Sequence, residues 1–114
     1  MPQIVIDCSE NILKIQKPNV ILKEVFDTAF TTGLFKKSAI KVRLNPCQYF
    51  YSENPEANFI HVFASIMEGR TSAQKQQLSE AVIKKLTILF PNLPIISMNV
   101  IDIEKASYYN KTMI

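Results

Sequence analysis

The chain has 114 residues and a formal net charge of +3, with 47% hydrophobic and 20% charged residues. That balance excludes disorder and sets one globular domain over residues 1–114. The charge is too small and too scattered for a nucleic-acid surface. No apolar run reaches the ~18 residues of a membrane span, and the N-terminus has no basic region followed by an apolar one, so a cytoplasmic protein without a membrane segment is expected.

"QIVIDC" (Gln3 to Cys8) reads as a strand of β-branched residues. Pro2 stands directly before it and has two readings. Proline lacks a backbone N–H and suits the first position of a strand. Initiator methionine is also commonly trimmed before a small residue, which would leave Pro2 with a free secondary amine. With Met1 in place, that nitrogen is an amide and cannot act as a base.

"SEN" (Ser9 to Asn11) is turn or capping material. A helix follows, with Leu22, Val25, Phe26, Ala29 and Phe30 at the spacing of one apolar face. Pro18 sits near its start, and Gly33 is placed to cap its C-terminus. "AIKVRL" (Ala39 to Leu44) alternates as a strand, with Ile40, Val42 and Leu44 on one face and Lys41 and Arg43 on the other. "NPCQYFYSENPEAN" is a connection with two prolines, Pro46 and Pro55. "FIHVFASIM" (Phe59 to Met67) is a third strand, apolar on both faces and expected to be buried on both. "TSAQ" (Thr71 to Gln74) has capping-box spacing and opens a second helix that buries Leu78, Ala81, Val82, Leu86 and Leu89. Pro91 and Pro94 end it, and "IISMNVIDI" (Ile95 to Ile103) is the fourth strand. A polar tail carries Tyr108 and Tyr109.

The order is therefore β-α-β twice, and the separation from Ile4 to Ile40 equals that from Ile60 to Ile96. Right-handed crossovers predict an α+β fold: a four-stranded sheet with both helices on one face. The other face then holds Phe59, Phe63 and Met67 without cover, which a symmetric oligomer would supply.

The initiating Met-Pro, the strand ending "DCSEN", and "AIKVR", "FIHV" and "GRTSAQKQQ" together resemble the 5-carboxymethyl-2-hydroxymuconate delta-isomerase family of the tautomerase superfamily. The resemblance runs from about Met1 to Ile103. It implies a homotrimer with active sites near subunit interfaces and no metal or cofactor. It also implies a double-bond shift in a dienol dicarboxylate from homoprotocatechuate degradation. Pro2 matches the family's proton-shuttling proline and Arg70, after Gly69, a substrate-binding arginine with a catalytic role. Arg43 matches a basic position on the second strand, and Lys41 stands where the family is expected to carry arginine. Lysine offers a point charge where arginine offers a planar fork, which bears on which substrate is taken.

These residue types suit the chemistry. A base that moves a proton between two carbons works best with a pKa near the operating pH. Burial and nearby cations lower the pKa of an amine, so Lys41, Arg43 and Arg70 would keep Pro2 neutral and also hold a developing dienolate. The bland alternatives are a solvated face for Lys41 and Arg43, and a surface ion pair for Arg70. His61, the one histidine, shares a face with Phe59 and Phe63 and is expected to be a satisfied core or interface residue. Cys8 and Cys47 form no metal or redox motif and are expected to be reduced, small buried apolar residues.

Two function classes remain at this level. One is an isomerase for an unsaturated dicarboxylate or, through Lys41, a tautomerase for another 2-oxo acid such as an arylpyruvate. The other is a non-catalytic trimeric domain that binds a small anion or a protein partner. An RNA-binding module fits less well, because the aromatics of the third strand alternate with other apolar residues.

Overall fold

The computed structural model describes residues 1–54 and 56–114. Strand β1 (Gln3–Ser9) leads through a 3-10 turn over Glu10–Lys14 to helix α1 (Pro18–Thr31). Strand β2 (Lys41–Cys47), strand β3 (Phe59–Met67), helix α2 (Ser72–Leu89) and strand β4 (Ile95–Ile103) follow. The described residues thus carry the expected β-α-β order twice.

The sheet runs β2-β1-β3-β4. β1 pairs parallel with β2, and β3 parallel with β4, while the two central strands β1 and β3 are antiparallel. Each half is thus a parallel pair bridged by its own helix. Ile4, Ile6 and Cys8 of β1 and Ile60, Val62, Ala64 and Ile66 of β3 are fully buried on one face. They form one core with Ile21, Val25 and Ala29 of α1 and Leu78, Val82 and Leu86 of α2. Both helices therefore cover the same face, as the α+β reading requires.

The α1 stripe is rotated from the expected one. The buried line is Ile21, Val25 and Ala29, with Leu22 and Phe26 partly covered, while Phe30 is exposed beneath the Lys37 ammonium, 5.4 Å from its ring centroid. The periodicity placed an apolar arc correctly, but packing follows the single i, i+4, i+8 ridge that meets the sheet. Gly33 takes φ +75° just beyond α1 and its N–H donates to Phe30 O at 3.1 Å, a capping geometry that disfavours other residues. In α2 the capping box is complete: Thr71 Oγ1 accepts from Gln74 N at 3.1 Å, and Gln74 Oε1 accepts from Thr71 N at 2.9 Å.

β2 begins two residues later than its alternation suggests, because Lys37–Ala39 form a 3-10 turn. It then continues through Pro46, which an edge strand tolerates. Pro55, the other proline of the connection, lies outside the described residues. β3 has the expected bounds, but in one chain it is covered on one face only. Phe59, His61, Ser65 and Met67 are half-buried, and Phe63 is 36% exposed. Two helices cannot reach the second face of this sheet. No helix among the described residues is long and apolar enough to cross a membrane.

Candidate active site

The strand register gathers charge at one end of the sheet. Gln3 at the start of β1 pairs with Lys41 at the start of β2 and with Ser65 near the end of β3. Lys41 N donates to Pro2 O at 3.2 Å, so the buried Pro2 is clamped beside the base of the Lys41 side chain. Past β3 the chain turns at Gly69, whose φ of +117° suits glycine, and delivers Arg70 just ahead of α2. Pro2, Lys41 and Arg70 thus come from three separate segments to the same edge.

The terminal amine carried by Met1 reports what that edge does to a base. Its pKa is pushed below the ordinary value of 8.0, first by partial burial and then by the Arg70 and Lys41 charges. Both cations are held in place. Arg70 Nη2 donates to Leu34 O at 2.7 Å, and its guanidinium lies 5.4 Å from the Phe35 ring centroid. Lys41 Nζ donates to Ser38 O at 3.0 Å.

Arg43 is placed differently. It lies exposed on β2 opposite Val5, and its Nη1 donates to Gln3 Oε1 at 2.7 Å. It therefore meets the terminus through Gln3. The sequence reading overlooked Gln3, whose only signal was a polar side chain opening an otherwise apolar strand. It also left open the role of Tyr108, whose hydroxyl lies 3.6 Å from Met1 Sδ.

With the fold and these positions in view, the family can be settled. A sequence profile of 5-carboxymethyl-2-hydroxymuconate isomerase matches residues 2–114. The chain belongs to the 5-carboxymethyl-2-hydroxymuconate isomerase family. That match extends into the tail beyond β4. The fold is similar to a 5-carboxymethyl-2-hydroxymuconate isomerase from Deinococcus radiodurans R1, with TM-score 0.83 and 18% identity over 96% of this chain and 88% of that one. It is also similar to a 5-carboxymethyl-2-hydroxymuconate delta-isomerase, with TM-score 0.81 and 16% identity over 96% of this chain and 86% of that one. A fused 4-OT symmetric trimer aligns with TM-score 0.81 and 17% identity over 96% of this chain and 94% of that one. No curated protein sequence matches significantly. At these identities the structural likeness establishes the tautomerase fold, and together with family membership it supports an isomerase or tautomerase role.

The remaining candidate residues fall elsewhere in this isomerase-family fold. His61 pairs with Asp7, four residues along β1 from Gln3, which is about 13 Å away at ~3.3 Å per residue. Its Nδ1 is 2.6 Å from Ser97 Oγ, its Nε2 is 2.6 Å from Asn99 Oδ1, and its ring meets Phe63 edge-on at 4.5 Å. This is the satisfied histidine that its neighbours suggested. A pocket of about 410 Å³ opens at the opposite end of the sheet, between Ile15, Asn58, Phe90 and Pro94. Its one ionisable lining residue is Glu56, and it lies far from the cationic edge, so size alone does not make it the reactive site. Among the described residues, no three His, Cys, Asp or Glu side chains gather as metal ligands would.

Proposed function

We propose that the protein is a cofactor-independent isomerase of an unsaturated dienol polycarboxylate such as 5-carboxymethyl-2-hydroxymuconate, with Pro2 as acid and base after Met1 is removed. The observation that carries this reading is the terminal amine. It sits where burial, Arg70 and Lys41 all disfavour its protonated form. A proline nitrogen one residue further along the chain would stand immediately before β1, beside the same two cations.

The chemistry follows from those charges. The anionic substrate enters an edge with surplus positive charge, and Arg70 and Lys41 hold its anionic oxygens. The neutral Pro2 nitrogen takes a proton from the substrate and becomes a secondary ammonium. The electrons left behind delocalise into a dienolate, which the cations stabilise as it forms. The same ammonium then returns the proton at the far end of the conjugated system, and the nitrogen is neutral again. Arg43 binds the substrate more weakly in this scheme, because its guanidinium is already engaged with Gln3.

Lys41 favours a second substrate class. Its ammonium cannot grip a carboxylate in two-pronged fashion, so a 2-oxo acid with one carboxylate, such as an arylpyruvate, is the competing substrate. A homotrimer belongs to the same proposal. The uncovered sheet face with Phe63, Ile95 and Ile101 exposed supports it, as does the trimeric arrangement of a structurally similar fused 4-OT protein.

The test compares a Met1-trimmed sample with an N-terminally extended one, both verified by intact mass, in an assay with a dienol dicarboxylate and an arylpyruvate. The trimmed form is expected to turn over at least one of them and the extended form neither. Equal rates for the two forms would remove Pro2 from the mechanism. Absence of turnover in both would favour a trimeric domain that only binds a small anion or a protein partner.

A further inference from the structure

Two hydrogen-bond donors converge on the Met1 thioether. Gln3 Nε2 lies 3.3 Å from Met1 Sδ, and Tyr108 Oη lies 3.6 Å from the same sulfur. A thioether is a weak acceptor, yet both donors are held towards it by other contacts. Arg43 has only donors to offer, so its 2.7 Å bond to Gln3 requires the amide oxygen to face Arg43 and the NH₂ to face Met1. Asn110 Nδ2 donates to Tyr108 Oη at 3.4 Å, which leaves the phenolic O–H free to donate elsewhere.

The Tyr108 side chain is fixed by its own segment. Glu68 N donates to Ile103 O at 3.1 Å, and Glu68 Oε1 accepts from Lys105 N at 2.7 Å, which ties the tail to the turn that carries Arg70. Tyr108 N then donates to Glu104 O at 3.2 Å and closes a helical turn. The ring is half-buried.

We propose that the Tyr108 hydroxyl and the Gln3 amide form an oxygen-binding subsite beside the Pro2 nitrogen, which the Met1 side chain fills until it is removed. The ligand is an anionic oxygen of the substrate, and the proposal rests on the catalytic reading above for its placement next to the base. Tyr108 donates one hydrogen bond; Gln3 donates a second and positions Arg43 as well. The oxygen has two sources in a 2-oxo or dienol acid. A carboxylate oxygen is charged before reaction and would be held equally in ground and transition states. An enolate oxygen gains its charge only during reaction. The two therefore separate in the kinetics.

The experiment uses Met1-trimmed protein and its Tyr108→Phe variant, which keeps the ring and loses only the hydroxyl. Turnover of the dienol dicarboxylate is measured alongside calorimetric binding of 2-oxoglutarate, a probe that carries both carboxylate and 2-oxo oxygens. Tyr108→Phe is expected to lower kcat/KM by about 10- to 1,000-fold, as loss of one such donor does, and to weaken probe binding about 10-fold with an unchanged unfolding midpoint. A fall confined to kcat identifies the enolate oxygen, and a rise confined to KM identifies the carboxylate. Protein that retains Met1 is expected to bind the probe at least about 10-fold more weakly, because the subsite is filled. Unchanged turnover and binding in Tyr108→Phe, or equal probe affinity with and without Met1, would overturn the subsite. Probe binding that depends on Tyr108 in a protein without turnover would uphold the subsite and sink the catalytic reading alone. Failure of the trimmed wild type to bind the probe would sink the subsite.

Discussion

Arg70 has two engagements, and they make separable predictions. Its guanidinium braces the Leu34 carbonyl and the Phe35 ring while its charge acts on the terminal amine. Arg70→Ala is therefore expected to cost about 2–4 kcal/mol of transition-state stabilisation in kcat/KM. Loss of the hydrogen bond to Leu34 costs about 1 kcal/mol of stability, so steady-state kinetics and urea unfolding should give different magnitudes. A negligible kinetic loss would leave Arg70 as a brace only. The pH profile follows from the same charges. A protonated amine has no lone pair, so kcat/KM should rise with pH, and the burial, Arg70 and Lys41 that lower the Met1 amine would act on the Pro2 amine too, setting the midpoint of that rise below the ordinary range of a terminal amine. A midpoint above that range would mean that the base lies elsewhere. The two cysteines differ in a similar, checkable way. Burial, with help from Asp7 and Cys47, pushes the Cys8 thiol up to about 11, whereas Cys47, expected to be buried, is half-exposed because it ends the edge strand β2. A thiol reagent at pH 8 is expected to label Cys47 and leave Cys8 untouched in the folded protein, as peptide mass mapping would show.

Among the elements, α2 carries the cleaner local signals. Its capping box satisfies two otherwise unpaired N–H groups, at Thr71 and Gln74, immediately after Arg70. Thr71→Ala should lower stability by about 1 kcal/mol in denaturant unfolding. Because the cap fixes where the helix starts, it also helps to fix where Arg70 stands. Leu86, fully buried at the end of the Leu78–Val82–Leu86 line, should cost about 2–5 kcal/mol as Leu86→Ala, since neighbours from both the sheet and α1 would have to close the space. The salt bridges at this scale are minor. Lys85 and Glu24 link the two helices at 3.5 Å, but both side chains are over a third exposed, and such pairs contribute little in water.

For the whole molecule, the uncovered sheet face is the dominant fact. One row of β3 is fully buried under the helices, while the other leaves Phe63 at the surface on the same face as Ile101 and Ile95 of β4. Tyr49 and Tyr51, in the connection after β2, are almost fully exposed as well. A monomer with this much apolar surface would be prone to associate, and a closed trimer would bury it. Light scattering at micromolar concentration is expected to give the trimer mass. Phe63→Glu should break the assembly while preserving far-UV circular dichroism, because the buried row of β3 and both helices are untouched. A wild-type monomer would remove the trimer and with it any site shared between subunits.

The local patterns determined most of the fold. The apolar run of β3 and the proline-bounded run of β4 set their bounds, the Thr71–Gln74 spacing set the start of α2, and Gly33 set the end of α1, because each depends on signals within a few residues. The right-handed crossover expected of each β-α-β half was enough to place both helices on one face. The rotation of α1 was not legible, since several apolar residues compete for one ridge and only contact with the sheet selects Ile21, Val25 and Ala29. The site divided in the same manner. The types and order of Pro2, Lys41, Arg43 and Arg70 were visible in the chain, and the family resemblance gave them roles. Tertiary structure alone decided that Lys41 and Arg70 act on the terminus directly, that Arg43 reaches it through Gln3, and that Tyr108 returns from the tail to meet Met1. Those contacts span up to 107 residues of chain. Strand register and the tail's attachment to Glu68 create them, and no local sequence pattern encodes either.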